Sequence, residues 1–159
     1  MKKSAIACLL MIVIVFSFGC KKDDSSTPAA GMSVKIDGTA WSGKINAAIY
    51  NTMQNVTMIT SSNTSPAEQL QLGFQGQSTG TFNFSADDMF SYGAFANLSS
   101  GDMYASISSD IPVGQIVVTE YDVTNHTISG TFYFEAYNFD DQKKVFTEGK
   151  FTKIKIENQ

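Results

Sequence analysis

From Met32 onward the apolar residues recur at every second position. In EQLQLGF, Leu70, Leu72 and Phe74 share one face while Gln69 and Gln71 take the other, the alternation of a half-buried strand. Phe82 and Phe84 repeat it in GTFNFS, and GQIVVTEYDV and TISGTFYFEAYNF are longer runs rich in β-branched and aromatic residues. Turn formers punctuate the runs: Asp37-Gly38, Gly76, Gly80, Gly101-Asp102, Pro112, Asn125, Asp140-Asp141 and Gly149. No stretch sustains a helical period. The pattern predicts about nine or ten strands, over 33–37, 45–50, 55–61, 68–74, 80–84, 90–98, 102–108, 115–122, 127–138 and 144–156, with Gly149 as a point where the last could break. The expected class is all-β: a single domain over 32–159, built as an antiparallel β-sandwich or a lipocalin-like barrel. YDVTNHTISG and NFDDQKKV read as hairpin joins, so the last three strands should form a meander.

Ahead of Met32 the pattern changes. Lys2 and Lys3 precede an uncharged run, Ala5 to Phe18, that ends in small Gly19. Residues 1–19 therefore read as a secretory signal peptide, too short for a comfortable membrane span. Cys20 follows at once, and the border resembles a bacterial lipobox, departing from it at Ser17 and Phe18, where an aliphatic and a small residue are usual. That resemblance implies cleavage before Cys20, a diacylglyceryl thioether on its thiol and a third chain on the freed amine. At about 0.8 kcal/mol per buried CH₂, two or three acyl chains make a stable anchor. The rest of 20–31 is polar, then small, and reads as a tether. Cys20-Lys-Lys-Asp-Asp also resembles the acidic signal of lipoproteins sent to the outer face of the outer membrane.

Composition narrows the partners. The chain has 11 basic residues, all lysine, against 15 carboxylates; loss of 1–19 leaves nine lysines and a net charge of −6. An acidic chain without arginine is poorly suited to phosphate backbones, so nucleic acid is not an expected partner. Cys8 departs with the signal and Cys20 remains alone, so no disulfide supports the fold. The remaining length suffices for a domain that buries about two-thirds of its unfolded surface.

VKIDGTAW near the start of the domain, VTEYDVTNHTISGTFYFEA near its end and KVFTEGKF after that resemble a group of Bacteroidota lipoproteins whose shared domain has no known function. In them an IDG..W opening strand accompanies a closing ISGTF.F.A segment and a G.F strand. The resemblance implies an extracytoplasmic all-β domain and carries over no catalytic or ligand residue. Read by themselves, these motifs are folding signals. Asp37-Gly38 makes a tight turn that returns Trp41 to the core, Gly130 marks a bulge, Phe132, Phe134 and Ala136 face inward, and Gly149 suits a bulge or bend before Phe151.

Catalytic chemistry is sparse. His126, the only histidine, lies in a turn without a second ligand or a serine elbow. Asp87-Asp88 and Asp140-Asp141 lie in loops, and Asp102, Asp110 and Asp122 near strand ends, without the alternating spacing of a calcium loop. No metal, cofactor or catalytic residue is expected. The aromatic surface is more suggestive. With Phe132 and Phe134 turned inward, Tyr133, Glu135, Tyr137 and Phe139 share the opposite face, either a platform for a glycan or peptide or a strand covered on both sides. Were the sheet closed, small Gly93, Ala94 and Ala96 would leave room inside for a small apolar ligand. The expectation is an outer-membrane lipoprotein, anchored through Cys20 and facing the exterior, with the periplasmic face as the alternative, that binds or supports and is not an enzyme. A lipocalin-like carrier is the alternative, and a glycan hydrolase a more distant one.

Overall fold

The computed structural model describes residues 29–108 and 111–158. The signal peptide, Cys20, the tether up to residue 28 and Asp110 lie outside the described residues. Eleven strands are formed: β1 (Gly31–Ile36), β2 (Thr39–Gly43), β3 (Ile45–Asn51), β4 (Val56–Thr64), β5 (Ala67–Gln75), β6 (Gly80–Asn83), β7 (Tyr92–Asn97), β8 (Asp102–Ala105), β9 (Gly114–Asp122), β10 (Thr127–Tyr137) and β11 (Lys143–Asn158). A 3-10 turn, Ser106–Ser108, ends the run expected as one strand over 102–108. The strand that the sequence does not announce is β2, where TAWSG is too short to display alternation.

The strands hydrogen-bond in the order β2-β1-β11-β3-β4-β5-β7-β8-β10-β9-β6, and β11 also pairs with β10. Seven of them, β11, β3, β4, β5, β7, β8 and β10, thereby close into a ring, with β1–β2 and β9–β6 as side branches. Two layers face each other across this ring, as the contacts of Phe95 on β7 with Trp41 on β2 and Phe146 on β11 record. The arrangement is a sandwich whose corners are joined as in a barrel. The expected meander is present, with β9, β10 and β11 pairing in sequence.

One pairing departs from the antiparallel expectation: Ile156–Asn158 of β11 runs parallel to Ala48–Tyr50 of β3. The reason is chain direction. β1 opposes β11, the two-residue Asp37-Gly38 turn (φ 50° and 81°) reverses β2, and β3 continues after Lys44 without reversing. Lys44 is where the chain changes layer, and its backbone N–H donates to Ser62 O of β4 at 3.0 Å.

β11 is not broken at Gly149. Opposite it, the pairs Phe132↔Gly149 and Phe134↔Phe146, and likewise Ile128↔Ile154 and Gly130↔Phe151, spend three β11 residues against two of β10. Each step is a bulge, and each contains a residue of positive φ, Glu148 (54°) and Lys153 (48°). The bulges reset the alternation, so Phe146, Phe151, Ile154 and Ile156 are all buried on a strand that would otherwise turn some of them outward. Gly149 and Gly130 serve close approach. A methyl on Gly149 would meet the Phe132 ring at 2.6 Å, and one on Gly130 would meet Val117 O at 2.2 Å.

The core is a phenylalanine stack. Phe134 lies on Phe146 with ring centres 4.1 Å apart and planes 10° from parallel, and Phe132, Phe151, Phe95 and Phe84 extend the contacts. Leu70, Leu72 and Phe74 close it from the other layer, fully buried as the alternation requires. Gly93 sits against Phe134, its missing side chain occupied by that ring (2.7 Å to an added Cβ). The room that small residues leave inside is therefore filled by an aromatic side chain.

Candidate functional site

Ala94 and Ala96 make their room on the outside. They lie on the outer face of β7, beside Ala105 of β8, and floor a groove of about 280 Å³. Register explains the alignment, since Ala94↔Ala105 and Ala96↔Met103 are direct cross-strand partners and Tyr137 of β10 pairs with Ala105. Gln69 and Gln71 of β5 continue the floor, and Leu98, Met103, Tyr137 and Phe139 form the rim. Among the described residues no charged side chain lines it.

The rim is positioned by two polar turns. Asn138 pins the β10–β11 hairpin loop: its Oδ1 accepts the N–H groups of Asp140 (3.0 Å) and Gln142 (2.8 Å), while its backbone N–H donates to Gln142 O (3.1 Å). The loop holds Phe139 in water at 97 % exposure. Asn97 does the same for the β7–β8 turn, accepting from Ser99 and Ser100 N–H at 3.0 and 3.1 Å, and presents Leu98 and Met103, each about three-fifths exposed.

The four residues expected on one face of β10 are divided. Tyr137 and Phe139 meet at the groove. Glu135 braces Tyr137, accepting from its OH at 3.3 Å and pairing with Lys143 at 3.3 Å. Tyr133, half exposed, lines a separate depression with Val117 and Lys150. The division arises because β10 changes neighbours along its length, pairing with β9 as far as Phe134 and with β8 at Tyr137. The floor residues Ala94, Ala96 and Ala105 carry no individual signal beyond their small size.

The groove lies at the end where turns collect. Leu98 N–H donates to Ala67 O at 2.8 Å, joining the β7–β8 turn to the start of β5, and Lys144 sits 5.0 Å over the Tyr104 ring and 3.4 Å from Asp37. The chain enters the domain elsewhere, at Gly31 beside Thr152, roughly 25–30 Å along β11 from the turn at Lys143.

Several of the carboxylates are engaged in local bonds. Asp88 and Asp122 cap turns through backbone N–H groups, and Asp102 accepts from Ser100. Asp37 and Glu68 share a depression with Asp102; Asp37 accepts Val145 N–H and Glu68 the Trp41 indole N–H, each at no more than 2.9 Å. Lys153 and then Ser129 hold the Glu120 carboxyl below its ordinary range, against opposing desolvation, and tie down the second β11 bulge. Asn125, through side chain and backbone, lowers Asp122 likewise. His126 is exposed in its turn at φ 52°. Among the described residues no group of three or more His, Cys, Asp or Glu side chains is placed to hold a metal ion.

Residues 28–155 match the family model of a domain of unknown function, DUF6252. No curated protein matches the chain, and no solved structure does.

Proposed function

We propose that this chain, which belongs to the DUF6252 family of domains of unknown function, is a Bacteroidota outer-membrane lipoprotein and acts as a surface-tethered binding or structural module, not an enzyme. Residues 1–19 are its signal peptide, Cys20 its acylated anchor and 20–31 its tether. Its contact surface is the uncharged groove.

The observation that carries the binding reading is Phe139. An aromatic ring of roughly 200 Å² left in water is a liability unless something covers it, and here the loop that presents it is fixed by three hydrogen bonds to one asparagine. Its neighbours Leu98 and Met103 are exposed as well. The groove's distance from Gly31, where the tether joins β1, supports a contact surface away from the lipid. The lipocalin-like alternative draws less support, because the stacked rings of Phe134 and Phe146 occupy the space an enclosed ligand would use.

Two experiments test the proposal. Acyl labelling and globomycin-sensitive processing should be lost in Cys20→Ala, and labelling unchanged by that substitution would overturn the anchor. An apolar fluorescent dye should bind the folded protein and lose binding in Ala96→Glu. Dye binding unaffected by that change would remove the groove from consideration. Extraction of a bound lipid from the interior would favour the carrier, and protection of the domain from protease on intact cells would place it on the periplasmic side.

A further inference from the structure

We infer that the domain rests on the lipid surface through Met53 and Val123, at the end of the sandwich nearer the tether, an inference that depends on Cys20 being the acylated anchor. Three turns meet at that end. β11 ends against Tyr50 of β3, just before the turn 52–55, and Lys155 Nζ donates to Asn125 O of the β9–β10 turn at 3.0 Å. The loop after β5 joins them, since Gly76 N–H donates to Asn55 O at 2.8 Å and Gln77 shares a small depression with Val123 and His126. Met53 and Val123 stand at two of the tips, 93 % and 62 % exposed.

The tether joins near these turns. β1 runs from Gly31, opposite Thr152, to Ile36, opposite Phe146, and Thr152 is about 10 Å along β11 from Lys155, the partner of Thr127. Gly31 is eleven residues on from Cys20, a reach of at most about 40 Å. Setting the groove end on the lipid would spend roughly 25–30 Å of that reach along the domain and would order most of the tether, at a cost in entropy. Charge selects the same end. Residues 52–55 and 76–79 contain no charge, and the one carboxylate of 122–126, Asp122, accepts N–H groups of its own turn. Lys155 and Glu157, near the end of β11, offset each other. The opposite end carries Asp37, Asp102, Asp140 and Asp141. Anionic headgroups repel those carboxylates, while neutral turns tipped by a methionine and a valine enter the interface without taking a charge out of water. Two such side chains bury less than one acyl chain, which by itself gives only reversible attachment. The acyl chains therefore hold the domain, and the tips fix its orientation with the groove outward.

The test uses the acylated full-length protein, purified and placed in vesicles of phosphatidylethanolamine and phosphatidylglycerol. With Cys20 acylated, a single new thiol can be labelled, so Met53→Cys, Val123→Cys and Phe139→Cys each carry one environment-sensitive nitrobenzoxadiazole dye. All three side chains are exposed, so the replacements leave the fold intact. At 53 and 123 the expected emission is shifted to the blue, quenched by bromine on the lipid acyl chains and untouched by aqueous iodide. At 139 the expected emission is that of the dye in water, quenched by iodide alone. Water-like emission at 53 and 123, or quenching by the brominated lipid at 139, would overturn the orientation while leaving the anchor in place. A blue shift at 53 that brominated lipid does not quench would overturn lipid as what covers the tip. Protein that carries no acyl chain and does not sediment with the vesicles would remove the anchor and the inference with it.

Discussion

Gly130→Ala probes a close approach of two strand backbones. An added methyl would sit 2.2 Å from Val117 O and 2.5 Å from the Phe151 ring. Restoring ordinary contact requires the oxygen to withdraw by roughly 1 Å. Val117 cannot withdraw alone, because it is paired with Thr131 of β10 on one side and Thr81 of β6 on the other. Phe151 cannot yield either, being fully buried against Phe132. The cost should fall at the upper end of overpacking, about 3 kcal/mol. Gly38→Ala is the internal comparison: its φ of 81° disfavours a side chain by about 1 kcal/mol, but nothing lies within 4 Å. In urea, read by circular dichroism and Trp41 fluorescence with a slope of about 2 kcal/mol/M, the midpoint should fall by about 1.5 M for Gly130→Ala and about 0.5 M for Gly38→Ala. An equal or smaller fall for Gly130→Ala would refute the close-approach argument.

Phe134→Ala removes the ring that stacks on Phe146 and fills the space beside Gly93, and should cost about 3–5 kcal/mol in the same urea assay. Glu68→Ala deprives the part-buried Trp41 N–H of its acceptor; a loss of about 1–3 kcal/mol and a shifted Trp41 emission are expected, and unchanged emission would count against that bond. Because Glu120 is held below its ordinary range when folded, its contribution to stability is present above that range and is lost as pH falls through the depressed value. Urea midpoints measured from neutral pH downward should therefore fall less steeply in Glu120→Gln than in the parent. Phe139→Asp should leave the urea midpoint unchanged within error while abolishing dye binding, since the ring touches water and not the core.

Much of the fold was legible because alternation is a local property. Leu70, Leu72 and Phe74 announce their face without reference to any other strand, and the meander of β9, β10 and β11 follows from the turns that separate them. What alternation conceals is a shift of phase. Glu148 and Lys153 are ordinary polar residues in the sequence, and only their pairing opposite β10 makes them the bulges that keep Phe151 and Ile156 inside. Thr39–Gly43 is a strand because β1 is beside it, not because of its own pattern.

The groove shows the same division. Composition supplied the aromatic residues of β10, an acidic chain without arginine and the small residues near Ala94. It placed Tyr133 and Tyr137 on one surface because both lie on one side of a strand, and the tertiary structure separated them because β10 exchanges β9 for β8 between the two. It also turned Ala94 and Ala96 outward and filled Gly93 from within. The sequence by itself determined which stretches extend and which residues a strand buries, since those depend on neighbours two positions away. Which strands meet, and hence which exposed side chains share a surface, depends on contacts between residues far apart in the chain, and only the packed layers decide it.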